Sequence, residues 1–133
     1  MLPETTDKIA SNALTKGDVL ATARVAGVQA AKRTSDLIST CHPVMVGTVT
    51  INFSIGETFV EVEAHVDTVD RTGVEMEALV AVTVAALTIY DMCKSEDRTM
   101  TVEEVALWEK SGGRSGTWRR EEALSDAAAD PRP

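Results

Sequence analysis

An α+β architecture, one antiparallel sheet with helices on one of its faces, is predicted by three features of the sequence. Residues 44–67 alternate apolar and polar across a break at Gly56-Glu57, the two-residue period of paired strands. Residues 18–34 are rich in alanine and free of proline, and residues 72–94 open on a capping pattern and continue through an apolar middle, so each reads as a helix. At 133 residues and 14.2 kDa the chain suits one hydrophobic core and is too small for two ordinary domains.

Residues 1–15 are weakly patterned, with Pro3 near the start, and are expected to be a frayed or partly helical lead-in to a single domain over 16–120. Asp18 is placed to cap the first turn of the first helix. Ala23, Gly27 and Ala31 fall four apart on one stripe, which allows close backbone approach, either within the subunit or between subunits. After Pro43 the first strand carries Met45, Val49, Ile51, Phe53 and Ile55 on one face. The second carries Val60, Val62, Ala64 and Val66, with Glu61, Glu63, His65 and Asp67 on a wet face.

Thr72-Gly73-Val74-Glu75 matches the S/T-x-x-E capping box, in which Thr72 would accept from the Glu75 amide. The uncharged run Ala78 to Tyr90 is thirteen residues, short of the roughly 20 a bilayer crossing needs, so it is read as a core helix with one side left for a partner subunit. A third strand is expected over about Met100 to Glu109, then the glycine-rich turn Lys110 to Gly116 and a short return strand over Thr117 to Arg120. The Ala-, Asp- and Pro-rich residues 121–133 are expected to be a disordered tail. Helix, hairpin, helix, hairpin is an αββαββ order, which predicts a ferredoxin-like sandwich.

The net charge of −8 has the wrong sign for a general nucleic-acid or anionic-membrane binder. It is unevenly placed. Thr34 to Asp70 holds six acidic residues and no Lys or Arg, whereas Lys16, Arg24, Lys32 and Arg33 stand against Asp18 alone. A local basic pocket for an anion can come only from the second kind of segment. Two cysteines, Cys41 and Cys93, make no disulfide framework and no leader pattern opens the chain, so a cytoplasmic location is expected.

Asp91 and Lys94, three apart at a helix end, can form an ion pair, either a surface pair or one that holds an acid/base group. Cys41-His42-Pro43 has neither zinc-ligand spacing nor the geometry of a nucleophile pair, which leaves His42 as a structural residue or a ligand donor. The Lys110 to Gly116 turn offers amides and two cations, an oxyanion cradle or an ordinary hairpin loop. G-x-S-x-G, H-E-x-x-H, C-x-x-C and nucleotide-loop patterns are absent.

Lys16-Gly17-Asp18-Val19 with Ala21 to Gly27, Ala30 to Thr34, Cys41-His42-Pro43, Thr72 to Leu79, Ala85 to Lys94 and Lys110 to Gly116 closely resemble, in order, the MoaC family of molybdenum cofactor biosynthesis. The resemblance implies a ferredoxin-like subunit in a hexamer built as a trimer of dimers, with active sites between subunits. It implies a lyase acting on a small molecule, (8S)-3′,8-cyclo-7,8-dihydroguanosine 5′-triphosphate, rearranged to cyclic pyranopterin monophosphate with release of pyrophosphate. By motif, Lys16, Asp91 and Lys94 would be catalytic and Thr40, Cys41, His42, Met76 and Glu77 would line the pocket, with Glu75, Arg24, Lys32, Lys110 and Arg114 as neighbours. No resident cofactor or protein metal site is assigned; a divalent ion could accompany the triphosphate. Family members usually carry a further segment before the position of Glu4, with a D-V-S motif, so the chain reads as an N-terminally shortened member. Thr40 stands where an aliphatic residue is common. The alternative is a non-catalytic paralogue that binds a nucleotide or a protein of the pterin pathway.

Overall fold

The computed structural model describes residues 1–114 and 116–121. The elements are α1 (Pro3–Ala10), α2 (Val19–Lys32), α3 (Thr34–Leu37), β1 (Val46–Ile55), β2 (Val60–Thr68), α4 (Glu75–Cys93), β3 (Glu109–Lys110) and β4 (Trp118–Arg119). β1 and β2 pair antiparallel with Ile51 opposite Ala64 and Phe53 opposite Val62, and both helices α2 and α4 pack against that hairpin. The α+β class is therefore observed, with the long helices on the face that carries Ile51.

Alternation decides which face that is. Val49, Ile51 and Phe53 of β1 and Val60, Val62, Ala64 and Val66 of β2 turn toward the core, while Glu61, Glu63, His65 and Asp67 stay exposed. A register irregularity between Val46 and Val49 breaks the period, and Met45, expected on the inner face, is exposed. α2 begins where Asp18 Oδ1 accepts from the Ala21 amide at 3.0 Å. Its stripe Ala23, Gly27, Ala31 is buried inside the subunit: a Cβ on Gly27 would lie 3.0 Å from the Ala81 carbonyl oxygen and 3.3 Å from Ala85 Cβ. Close helix-on-helix packing, one of the two readings of that stripe, is what the structure shows.

The lead-in, expected to be frayed or partly helical, carries the helix α1, whose Ile9 joins Leu14 in the hydrophobic core. Asp97 explains why it holds: its Oδ2 accepts from the Leu2 amide at 2.7 Å and from Thr5 Oγ1 at 3.1 Å, clamping the start of α1 to the turn after α4. The capping box at Thr72 does not form, because α4 starts after Val74 with no side-chain cap and the Glu75 carboxylate is drawn to Lys110 instead. The third strand, expected over Met100 to Glu109, is regular only at Glu109–Lys110, which pairs with β4 and not with β2. The sheet is thus two separate two-stranded ladders and not one of four strands; among the described residues 101–107 pair with no strand, and Glu104 at φ 53° interrupts their extension. The proposed tail lies, after Glu121, outside the described residues.

α4 has the length and apolarity to cross a bilayer, with a mean hydropathy of 1.6 over an 18-residue window. Here it is the central core helix, burying Val80, Ala81, Ala85, Ile89 and the carboxylate-bearing Glu77 between α2 and the hairpin.

Candidate functional site

α2 and α4 run antiparallel, so the start of α2 meets the end of α4, and this sorts the residues singled out in the sequence into two groups. At the C-terminal end of α4, Lys94 Nζ donates to Asp91 Oδ1 at 2.6 Å across one helical turn. Lys16, on the loop before α2, reaches the same residue and donates from Nζ to the Asp91 carbonyl oxygen at 3.2 Å. The hydrogen bond from Lys94, followed by the charge of Lys16, holds the Asp91 carboxyl below the usual carboxylate range. All three side chains are solvent-accessible, so a ligand can reach the carboxylate and both ammonium groups.

The other end of α4 carries the second group. Glu75 in the first turn pairs with Lys110 of β3, and that contact lowers the Glu75 pKa. Glu77, buried two residues further on in the same turn, lines a small cleft with Lys32, Thr34, Ser35 and Pro43. The cleft places Lys32 from the end of α2 and the chain just after His42 against the start of α4. Thr40 and His42 are exposed on the α3–β1 loop and Cys41 is half-buried, its amide donating to the Ile38 carbonyl oxygen at 3.0 Å. Met76 is half-buried in the first turn of α4. Arg114 is exposed in the β3–β4 loop, where Gly112, Gly113 and Gly116 take φ values of 87°, 71° and 68° that only glycine adopts freely.

Arg24 belongs to neither group. Its Nε donates to the Ile51 carbonyl oxygen at 3.0 Å and its guanidinium lies 5.3 Å from the Phe53 ring centroid, so it fastens α2 to β1.

The two groups are far apart within one subunit. Sixteen residues of helix separate Glu75 from Asp91, a rise of about 24 Å, which is longer than a nucleoside triphosphate. One end supplies a carboxylate flanked by two ammonium groups, suited to proton transfer and to developing negative charge. The other supplies carboxylates that accept N–H groups, a lysine, and a histidine. No group of three or more His, Cys, Asp or Glu side chains able to hold a metal ion occurs among the described residues.

Sequence reasoning passed over Asp97, whose Oδ1 also accepts from Thr99 N at 2.9 Å and Thr99 Oγ1 at 2.7 Å. The signal was available: an Asp two residues before a Thr is the pattern of a side-chain-closed turn. It ties the chain that leads to Lys16 to the chain that leaves Lys94.

Comparison with known proteins adds the remaining observation. Residues 1–113 match the family model of the MoaC family. A protein of Thermomicrobium roseum called cyclic pyranopterin monophosphate synthase is 57% identical over 122 residues, 90% of this chain and 74% of its own. Cyclic pyranopterin monophosphate synthase 3 of Mycobacterium bovis is 56% identical over 124 residues, 92% of this chain and 70% of its own. A namesake from Heliobacterium modesticaldum is 54% identical over 121 residues, 90% and 76% of the two chains.

Proposed function

The chain belongs to the MoaC family, and from that premise we infer that it is a lyase of molybdenum cofactor biosynthesis, converting the cyclic dihydro-GTP to cyclic pyranopterin monophosphate with release of pyrophosphate. The observation that carries the assignment of roles is the convergence of Lys16, Asp91 and Lys94 from two distant segments of one chain.

In this reading Asp91 and the two lysines are the acid/base set for opening and rebuilding the purine-derived ring, which needs repeated proton transfers at nitrogen and carbon. In the phosphate step a ribose-derived hydroxyl oxygen bonds to the α-phosphorus, and its proton passes to a base. The bond from the α-phosphorus to the bridging oxygen breaks, and pyrophosphate leaves with the electron pair. Lysine side chains stabilise the charge that develops. Glu75 and Glu77 accept from guanine-derived N–H groups, while Thr40, Cys41, His42, Met76 and Lys32 wall the pocket. Lys110 is held by Glu75, so a phosphate competes with that carboxylate for its ammonium group. A divalent ion, where one accompanies the triphosphate, is carried by phosphate oxygens.

A substrate cannot touch both ends of α4 in one subunit. The reading therefore includes a homo-oligomer, a hexamer as a trimer of ferredoxin-like dimers, in which the Lys16–Asp91–Lys94 end of one subunit faces the Glu75–Lys110 end of another. A cytoplasmic location goes with a biosynthetic enzyme of this kind. Incubation of the pure protein with the cyclic dihydro-GTP is expected to give cyclic pyranopterin monophosphate and pyrophosphate. Turnover no greater than that of an Asp91→Ala control, with binding retained, would instead make this a nucleotide-binding paralogue.

A further inference from the structure

The chain that carries Thr40, Cys41 and His42 enters β1 at the end of the hairpin from which β2 leaves for Glu75 and Glu77, and there Val46 stands opposite Thr68. The ladder gives way at this end. Its register shifts between Val46 and Val49, and the Thr48 amide donates to Asp67 Oδ1 at 2.7 Å. One residue before β1, side chains from the exit of β2 hold the main chain of Met45 on both sides. Its amide donates to Asp70 Oδ2 at 2.7 Å, and its carbonyl oxygen accepts from Thr68 Oγ1 at 2.7 Å. The same hydroxyl accepts from the Asp70 amide at 3.0 Å. A single hydroxyl therefore joins the chain entering β1 to the chain on its way to α4.

The Met45 side chain is 65% exposed, so its main chain is what fixes it. Its neighbours Pro43, Val44 and Val46 line the cleft that holds buried Glu77. Among the described residues 42–44 make no hydrogen bond of their own, so this wall hangs between the Cys41 amide, bonded to Ile38, and the bracketed Met45. Threonine and aspartate suit the task, since their short side chains close hydrogen bonds onto nearby main chain. Resting on the reading of His42 and Glu77 as pocket residues, we propose that Thr68 and Asp70 are positioning residues: by bracketing Met45 they set the spacing between the 41–46 wall and the first turn of α4, and with it the affinity for substrate. Such a wall meets substrate and transition state alike. Its displacement therefore weakens binding and leaves the chemical step, which belongs to Asp91 and the two lysines, unaltered.

The test is made on the full chain with the cyclic dihydro-GTP as substrate, and with amide hydrogen exchange of residues 43–46 followed by mass spectrometry. Thr68→Val keeps the branched shape that suits a strand and loses both bonds of the hydroxyl, while Asp70→Ala loses the acceptor for Met45. Each is expected to raise KM about fivefold or more with kcat within about twofold of the unaltered chain. Each should also speed exchange over 43–46 about tenfold. Thr68→Ser and Asp70→Asn, which keep the hydroxyl and a carbonyl acceptor, should restore both readouts. Unaltered KM in Thr68→Val and Asp70→Ala overturns the proposal. So does a loss carried by kcat alone, or one that Thr68→Ser and Asp70→Asn share. Should Thr68→Val not fold, Asp70→Ala against Asp70→Asn decides. Absence of turnover in the unaltered chain above Asp91→Ala would count against the lyase reading instead, and the same ratios are then read from the Kd of GTP.

Discussion

Lys16 Nζ donates to the main-chain carbonyl oxygen of Asp91, 3.2 Å away, so the cation before α2 rests on one of the last unpaired carbonyls of α4 while Lys94 holds the carboxylate of the same residue. The two lysines thus have separable effects on Asp91. Lys94 is the principal cause of its lowered pKa and Lys16 the second. Lys94→Met is expected to raise the Asp91 pKa toward 3.8, more than Lys16→Met does, in a carboxyl-carbon NMR titration. The lowered pKa means that the pair stabilises the fold above the unfolded-state pKa, and that this contribution disappears as pH falls through the folded-state value. Since the groups are exposed, melting should move little, whereas either substitution should reduce kcat by roughly 10²–10⁴-fold as lost acid/base function. A Lys16→Met enzyme with unaltered kcat would remove Lys16 from the set.

Asp97 is the opposite case, a carboxylate whose contribution is to stability. It is 2% exposed, accepts four hydrogen bonds, and has its pKa lowered to about 2, chiefly by the Thr99 hydroxyl and then by the Leu2 and Thr99 amides and Thr5. A shift from 3.8 to about 2 corresponds to about 2 kcal/mol of stability, complete above the unfolded-state value and lost as pH falls toward 2. Asp97→Asn, which presents two donors where acceptors are needed, is expected to cost about 2–3 kcal/mol in urea unfolding at neutral pH. It should also flatten the acid limb of the stability curve. A loss below about 0.5 kcal/mol would show that α1 is held by other contacts.

What could be read from the sequence and what could not divides along a physical line. The β1–β2 hairpin, the cap at Asp18 and the α4 core were legible because each depends on residues close together in sequence: alternation, one carboxylate three residues from an amide, an apolar run. The Thr72 capping box failed because Glu75 has a stronger distant partner in Lys110. The strand over 100–109 failed because alternation creates a face but no neighbour, and the edge of β2 that could serve is separated from it by a cavity. Motif resemblance named the candidate site residues, yet their division between the two ends of α4 follows from the antiparallel packing of α2 on α4, which no single motif contains.

That packing depends on Gly27. Alanine is ordinarily the better helix former by about 1 kcal/mol, so Gly27→Ala would stabilise an exposed helix. Here the added methyl meets the Ala81 carbonyl oxygen at 3.0 Å, a main-chain atom that cannot rotate away, and the side chain of fully buried Ile51. Overpacking of this kind costs roughly 1–3 kcal/mol and outweighs the propensity gain. Gly27→Ala is therefore expected to lower the melting temperature; an increase would show that α2 can shift outward freely.

The separation of about 24 Å between Glu75 and Asp91 yields the most direct test of a shared site. Asp91→Ala disables one end of each subunit and Lys110→Ala the other, so each homo-oligomer alone has no intact pocket. If every pocket combines the Asp91 end of one subunit with the Lys110 end of its neighbour, a mixed assembly contains some pockets in which both contributing surfaces are unaltered. Co-refolding the two inactive variants is then expected to restore activity, and random pairing of equal amounts in a two-subunit pocket should restore about a quarter of it, since both contributions must be intact at once. Mixing without dissociation should restore nothing until subunits exchange. If co-refolded mixtures stay inactive while sizing shows mixed oligomers, each pocket draws all its residues from one subunit, and the substrate contacts only one end of α4.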